Sequence, residues 1–231
     1  NYFSYFSDIL YTHQAGESKA YDWYSFLDRG GFVTGAIQQG YISGFGMDLM
    51  YLQKDANNSN SGLYIRFVEK NSAAYKAGLR RGQQIISLNG DTKIDYNSQK
   101  ASNLRELNNY LNSGNLAIEY KTPTGQEKTV SVAYSRNSYA DAVFADTVLV
   151  AGNKNVAYIG ISSFLSTDAW VLDKGVTKPF QTRLSEVFNS FSSKNVENIV
   201  VDLRYNGGGS VLTAEYLSDL LVRSSASGSL M

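Results

Sequence analysis

Residues Asn198 to Gly209 read NIVVDLRYNGGG, and this stretch decides the fold of the 231-residue chain. The apolar, largely β-branched run from Ile199 to Leu203 predicts a strand buried on both faces. Three glycines follow, where backbone N–H groups can approach a ligand because no Cβ intervenes. Ser210 then fits the N-cap of a helix with one apolar face. The apolar residues of that helix are Val211, Leu212, Tyr216, Leu217, Leu220 and Leu221.

A strand, a glycine turn and a helix N-terminus together make a pocket that suits an anion. A simple strand-to-helix turn that needs small residues would give the same Gly-Gly-Gly pattern. A phosphate-binding loop is disfavoured, because no Lys-Ser/Thr follows the glycines and the G-x-G-x-x-G spacing is missing. The residues that flank the glycines must therefore distinguish an anion pocket from a simple turn.

Those flanking residues form the pattern D-L-R-x-N-x-G-G from Asp202 to Gly209. This pattern resembles a segment of the carboxyl-terminal processing, or tail-specific, serine peptidases of family S41. The resemblance implies that Gly208 and Gly209 donate backbone N–H groups to an oxyanion hole. Asp202 and Arg204 could serve as a catalytic carboxylate and a cation, but charges at the end of a buried strand are more often paired supports. Asn206 is expected to hold the glycine turn through side-chain to backbone bonds.

The composition limits the function classes. The formal net charge is zero, so neither nucleic acid nor an anionic membrane is a favoured partner. No apolar run approaches the ~18–20 residues that span a bilayer. Cysteine is absent from the sequence, which excludes disulfides and thiolate nucleophiles. The polar loop from Asp55 to Gly62 lacks the sixth-position glycine and the bidentate glutamate of a calcium loop, so no metal is expected there. The chemistry that the S41 resemblance implies needs no cofactor.

A second set of motifs lies in the first half of the chain. Residues 71–79 predict a short capped helix that ends at a glycine, and residues 81–90 predict a strand closed by an Asn-Gly turn. The order S-A-A-x-x-A-G-L from Ser72 to Leu79, followed by G-x-x-I-x-x-L-N-G from Gly82 to Gly90, resembles the PDZ domains of bacterial proteases. The resemblance implies a groove between the strand after the Gly44-Phe45-Gly46-Met47 loop and a helix from Ser98 to Leu111. A peptide would add a strand there, and loop N–H groups would take its terminal carboxylate. A β-sandwich without a ligand remains the alternative.

The order of these patterns predicts an α+β and α/β multidomain chain. Aromatic residues at helical spacing predict an N-terminal helical segment over residues 1–40. A PDZ-like, β-rich domain is expected over 41–136, with Ser135 to Tyr139 as a linker. Residues 140–231 alternate strand and helix, with an amphipathic helix expected from Thr182 to Phe191, and this order predicts a parallel sheet. The strand V-x-Y-I-x-I-x-x-F over 156–164 resembles the opening strand of the S41 core, which implies the first part of a ClpP/crotonase-like protease fold.

The catalytic nucleophile and base are not recognisable in the sequence. His13 is the only histidine, so a Ser-His-Asp triad is nearly excluded. The resemblance implies a Ser-Lys dyad in which a lysine of lowered pKa activates the serine. The turn from Ser224 to Gly228 comes too soon after the glycines to match the nucleophile turn. The dyad is therefore expected beyond Met231, and this chain alone is expected to be inactive.

The leading hypothesis is a serine endopeptidase with PDZ recognition of a polypeptide substrate or a peptide C-terminus. The missing basic and apolar leader and the Tyr-, Ser- and Asn-rich composition favour a mature or trimmed bacterial protein of an extracytoplasmic compartment. A non-catalytic PDZ scaffold on a degenerate protease-like domain is the alternative. Acyl-thioester chemistry at the same glycines is a weaker third one. The sequence gives no indication of the oligomeric state.

Overall fold

The computed structural model describes residues 37–53 and 60–222. The predicted helices of the N-terminal segment, with His13, lie outside the described residues, as does the turn from Ser224 to Gly228. The strands are β1 Tyr41–Gly44, β2 Met47–Leu52, β3 Gly62–Val68, β4 Gln84–Leu88, β5 Asn115–Lys121, β6 Glu127–Ala133, β7 Ser135–Tyr139, β8 Val143–Ala151, β9 Lys154–Ile161, β10 Trp170–Asp173, β11 Val176–Pro179 and β12 Asn198–Asp202. The helices are α1 Ala73–Lys76, α2 Tyr96–Lys100, α3 Arg105–Leu111, α4 Phe180–Ser192 and α5 Val211–Leu221.

An antiparallel sheet of five strands, in the order β2-β3-β4-β5-β6, organises the first half of the chain. The strand β2 is at the edge of this sheet, and no strand of the described residues pairs with its outer side. The predicted turn after β4 is confirmed, because Asn89 and Gly90 have φ angles of 51° and 83°. The core residues on this sheet and its helices include Leu63, Ile65, Leu79, Leu88, Leu116 and Ile118.

The short helix α1 forms as predicted. The Ser72 hydroxyl accepts a hydrogen bond from the Tyr75 amide at 3.1 Å, which satisfies one of the free donors of the first turn. Gly78 follows the helix with φ of 87°, a conformation that favours glycine. The sequence signal was strong here because both ends of the helix are fixed by neighbouring residues.

The single helix predicted from Ser98 to Leu111 is wrong. The structure has two helices, α2 and α3, because Asn103 and Leu104 adopt left-handed backbone angles of 52° and 61°. The buried side chain of Gln99 accepts a hydrogen bond from the Leu107 amide at 3.1 Å. A side chain from α2 therefore satisfies a donor in the first turn of α3, and this tertiary bond supports the break.

The predicted linker at Ser135–Tyr139 is also wrong, because these residues form strand β7. It pairs antiparallel with β1 in a separate two-stranded sheet, with Tyr41 opposite Tyr139. The two tyrosine rings lie 4.8 Å apart between centroids, and their hydroxyls are 3.1 Å apart. The pairing partner lies almost a hundred residues earlier in the chain, so local composition could not reveal this strand.

The second half of the chain contains a three-stranded sheet in the order β12-β9-β8. The strand β9 runs parallel to β12, as the strand–helix–strand pattern predicts, but antiparallel to β8. The sheet is therefore mixed, and the prediction of a purely parallel sheet is wrong. The strand β12 forms an edge of this sheet, and Val200 is 48% exposed. The prediction that this strand is buried on both faces is wrong for the described residues.

Helices α4 and α5 pack on this mixed sheet. The predicted amphipathic helix α4 is confirmed, and its buried residues include Phe180, Leu184, Val187 and Phe188. In α5, Leu217 is buried, whereas Val211 and Leu212 are 70% and 67% exposed. The prediction that all apolar residues of α5 share one buried face is therefore wrong. No helix of the described residues is long and apolar enough to cross a membrane.

Candidate functional site

The glycine loop, defined as residues Leu203 to Ser210, lies between the end of β12 and the start of α5. Its first turn is closed by a 2.9 Å hydrogen bond from the Asn206 amide to the Leu203 carbonyl. Its last part pairs with Phe164, whose amide donates to the Gly208 carbonyl at 2.9 Å. The Phe164 carbonyl in turn accepts from the Ser210 amide at 2.7 Å. The loop is thus held by the segment that follows β9.

Two of the three glycines are required by the backbone. Gly208 and Gly209 have φ angles of 106° and 135°, which side chains rarely adopt. A Cβ on Gly209 would also lie 2.1 Å from the Phe164 carbonyl oxygen, too close for any residue but glycine. Gly207 has neither restriction, since its Cβ position faces open space. The close approach of the loop to Phe164 therefore accounts for Gly209 in particular.

The backbone N–H groups of this loop differ in whether they already donate a hydrogen bond. The Gly208 amide donates to the Asn206 side-chain oxygen Oδ1 at 2.7 Å. The Gly209 amide donates to no group of the described residues. Ser210 occupies the N-cap position of α5 without a side-chain cap bond, contrary to the expected role of its hydroxyl. The loop thus offers one open N–H beside a helix N-terminus, where partial positive charge favours an anion.

The residues before the glycines form a closed polar cluster. Asp202 is buried at the end of β12, and its carboxylate accepts bonds from the Arg204 amide at 3.0 Å and from the Arg204 guanidinium at 2.6 and 2.9 Å. The Tyr158 hydroxyl on β9 donates to the same carboxylate. These bonds, those from Arg204 first, hold the pKa of Asp202 well below its usual range. A carboxylate with this many donors is poorly suited to accept a proton in catalysis.

An aromatic cluster joins the glycine loop to the five-stranded sheet. The cluster consists of Phe67 on β3, Phe144 on β8 and Tyr205 in the loop. The rings of Phe67 and Tyr205 stack at 5.0 Å, and Phe144 meets both rings edge-on at 5.4 and 5.7 Å. Gly160 on β9 makes room, because a Cβ there would lie 2.3 Å from the Phe144 ring. The loop position therefore depends on both halves of the chain.

The predicted peptide groove coincides with a cavity of about 310 Å³ beside the edge strand β2. The loop from Gly44 to Met47 lines it on one side, and Leu111 at the end of α3 lies on the other. The amides of Phe45 and Gly46 donate to no acceptor of the described residues. The edge of β2 and these two N–H groups are the features that an added peptide strand requires. The remaining lining residues are Ile42, Ser43, Asp48, Phe67 and Glu69.

The described residues do not assemble a catalytic dyad. No serine hydroxyl is hydrogen-bonded to a lysine ammonium in residues 37–53 and 60–222. The same residues contain no group of three or more acidic or histidine side chains that could hold a metal ion. The arrangement can bind a peptide strand and stabilise a negatively charged oxygen, but it contains no recognisable nucleophile.

Sequence reasoning missed several residues that build these features. Tyr158 and Phe164 are both in the quoted strand motif, but the motif was used only to predict a strand. The bond from the Tyr158 hydroxyl to Asp202 explains the tyrosine, whereas Phe164 contacts the glycine loop through its backbone. Glu69 gave no signal in the sequence, because its burial results from tertiary packing.

Comparison with known proteins agrees with the two halves of this architecture. Residues 155–229 match the family model of peptidase family S41, and residues 39–111 match the PDZ domain. The chain is thus similar to peptidase family S41 over about a third of its length and to the PDZ domain over another third. Its fold class is the mixed one predicted, with a β-rich PDZ-like region followed by an S41-like α/β region. The PDZ domain contains the groove, and the S41 region contains the glycine loop. No curated protein matches the chain.

One solved structure shares this fold, and others have lower similarity to the chain. A protein of Bacteroides fragilis NCTC 9343, described as an S41 protease, is 21% identical with a TM-score of 0.55. The match covers 94% of this chain and 58% of that protein, so the chain spans just over half of its length. The photosystem II D1 C-terminal processing protease is 18% identical over 79% of this chain and 45% of its own, with a TM-score of 0.46. The HtrA3 PDZ domain bound to a phage-derived ligand is 20% identical over 41% of this chain and 86% of its own, with a TM-score of 0.32.

Proposed function

We propose that this chain is part of a serine-type endopeptidase of family S41. The protein would capture polypeptides in its PDZ groove and cleave them by acyl transfer. A serine would attack the peptide carbonyl, a lysine would take the serine proton, and water would release the acyl group. The Gly208 and Gly209 amides would stabilise the oxyanion, with Asp202, Arg204 and Asn206 as supports of the loop. We place the nucleophile and the base in sequence beyond Met231, so the 231-residue chain alone should not hydrolyse peptides. No cofactor takes part in this proposal.

The observation that carries the proposal is the geometry of the glycine loop. Phe164 bonds the Gly208 carbonyl at 2.9 Å and the Ser210 amide at 2.7 Å, which holds the two positive-φ glycines, and the Gly209 amide has no acceptor among the described residues. A rigid loop with an open donor is what electrostatic stabilisation of an oxyanion requires, because little reorganisation is then needed during the reaction. The Gly208 amide would join once a substrate oxygen replaces Asn206 Oδ1.

The oxyanion assignment can be tested in the complete protein with a Gly208→Val variant. The space beside the Gly208 Cβ position is open, so the valine would clash with no core atom, and its φ of 106° would strain the loop that presents the amide. We expect cleavage of an unfolded polypeptide to slow by about 10²-fold or more. Gly207→Ala is the matched control and should cleave at the wild-type rate. Normal turnover by a folded Gly208→Val protein would remove the oxyanion assignment.

A non-catalytic peptide-binding scaffold is the second candidate, and one observation favours it. The Gly208 amide is occupied by Asn206, so one of the two proposed donors is not available in this conformation. Peptide mapping of the native protein distinguishes the candidates. A serine turn and a lysine in sequence beyond Met231 would support the enzyme, and a native mass equal to the 25.5 kDa of this chain would favour the scaffold. We also propose an extracytoplasmic location, which fractionation of the source cells would test.

A further inference from the structure

Glu69 is the unusual residue of the peptide groove. It follows β3 directly, and its amide donates to the Gly46 carbonyl at 2.8 Å, so it is fixed beside the loop that would receive a peptide. Its side-chain oxygen Oε2 is buried and accepts no hydrogen bond from the described residues. A buried carboxyl oxygen without a donor is costly unless something else supplies the missing bond.

The charges around Glu69 do not supply that bond. Asp48 and Asp141 both act on Glu69 as like charges. Each of these has its own cation among the described residues: Arg66 pairs with Asp48, and Lys70 pairs with Asp141 at 2.9 Å. Glu69 has no ion pair in this part of the chain. Burial first, and then the two aspartates, raise the pKa of Glu69 to about 7.

The position of Glu69 links this unpaired carboxyl to a ligand. Glu69 lines the cavity of about 310 Å³ together with Phe45 and Gly46, the two residues with open amides. A peptide strand added along β2 would pass this carboxyl. A terminal carboxylate bound by the loop would meet the like charge of Glu69, whereas an ammonium or guanidinium would provide the missing donor.

We propose that the groove selects an extended peptide that places a lysine or arginine side chain against the Glu69 carboxylate, rather than a peptide recognised by its free C-terminal carboxylate. This inference rests on the proposed peptide-binding function and adds the class of peptide to it. Glu69 then sets which segments of an unfolded polypeptide the protein captures. The hydrophobic lining residues Phe45, Met47 and Leu111 would hold the neighbouring apolar side chains.

The test uses amidated synthetic peptides with apolar flanks, in which one lysine is moved along the sequence, and matched peptides with norleucine in its place. Binding to the 231-residue chain is measured by isothermal titration calorimetry. At about pH 8 we expect the best lysine peptide to bind about tenfold more tightly than its norleucine counterpart, the effect of one charge-assisted hydrogen bond. Glu69→Gln should bring the two affinities to within about twofold.

Two controls keep the result specific to Glu69. Glu127→Gln removes an exposed carboxylate that pairs with Lys121 on the far edge of the sheet, and it should leave the tenfold preference unchanged. In the wild-type protein, the preference should shrink at about pH 5.5, where the Glu69 carboxyl is protonated and Asp48 and Asp141 keep their own cations. This second measurement requires no substitution and remains informative if Glu69→Gln does not fold.

Several outcomes overturn the inference. Equal binding of lysine and norleucine peptides by the wild type, or a preference that survives in Glu69→Gln, shows that Glu69 does not select the peptide. A free-acid apolar peptide that binds more tightly than the lysine peptide at about pH 8 has the same consequence. If no peptide of any kind binds, the proposed peptide-binding function fails, and the inference fails with it.

Discussion

Gly209→Ala is expected to destabilise the glycine loop strongly. The new Cβ would lie 2.1 Å from the Phe164 carbonyl oxygen and 2.8 Å from the carbonyl carbon, and both are backbone atoms that no rotamer change can move. The φ angle of 135° adds about 1–3 kcal/mol of backbone strain. Moving the loop would weaken the two hydrogen bonds to Phe164, each worth about 1 kcal/mol. Together these give a loss of about 3–5 kcal/mol.

The assay is urea unfolding of the 231-residue chain, followed by the fluorescence of its two tryptophans. Gly207→Ala adds the same methyl group two positions earlier, where no atom lies within 4 Å and φ is not positive. Its unfolding free energy should stay within about 0.5 kcal/mol of the wild type. A loss below about 1 kcal/mol for Gly209→Ala would refute the close packing of the loop against Phe164.

Three further substitutions test the other features of the site. Gly160→Val should push the Phe144 ring aside, since a Cβ there lies 2.3 Å from it, and lower the unfolding free energy by about 1–3 kcal/mol in urea titrations. Because the pKa of Asp202 is lowered, its carboxylate stabilises the fold above pH ~4, and this contribution is lost as the pH falls further. Asp202→Asn should therefore flatten the acid limb of the stability profile, the part in which stability falls with decreasing pH. The raised pKa of Glu69 acts in the opposite direction, because the folded protein loses stability as the pH rises through about 7. This loss is at most ~3 kcal/mol. Glu69→Gln should remove it when unfolding is measured from about pH 5 to 8.

Each of these three predictions has a result that contradicts it. An unchanged unfolding free energy in Gly160→Val would show that the aromatic cluster is not held by close contact. An acid limb in Asp202→Asn as steep as in the wild type would mean that Arg204 and Tyr158 do not hold this carboxylate. A stability profile of Glu69→Gln that still declines between about pH 5 and 7 as steeply as the wild type would assign the decline to another group.

The parts of the fold that the sequence predicted are those fixed by neighbouring residues. The helix α1 has its own cap and terminating glycine, and the amphipathic pattern of α4 follows directly from its spacing. The motif from Asp202 to Gly209 located the glycine loop for the same reason, because local backbone angles require glycine at Gly208 and Gly209.

The parts that the sequence did not reveal depend on distant partners. The strand β7 forms only because β1 pairs with it, and the break between α2 and α3 is supported by Gln99 from the preceding helix. The exposure of Val200 follows from the edge position of β12, which a hydrophobic run cannot indicate. The hairpin of β10 and β11 had a local signal, since Lys174 and Gly175 have φ angles of 49° and 83°, and it was overlooked.

The candidate site shows the same division. The glycines could be found from their motif, whereas the state of their amides could not. The occupation of the Gly208 amide depends on the Asn206 side-chain rotamer, and the unpaired carboxyl of Glu69 depends on which charges the fold brings near it. Electrostatic environments of this kind are set by tertiary structure, even where each residue type is common.

The central claim is that these residues form the peptide-capturing and oxyanion-stabilising part of a peptidase. The most direct measurement compares the native protein with the 231-residue chain on one unfolded polypeptide, and records binding by calorimetry and cleavage by mass spectrometry. The account predicts that both bind the polypeptide and that only the native protein cleaves it. Cleavage by the 231-residue chain, or binding without cleavage by the native protein, would contradict the account.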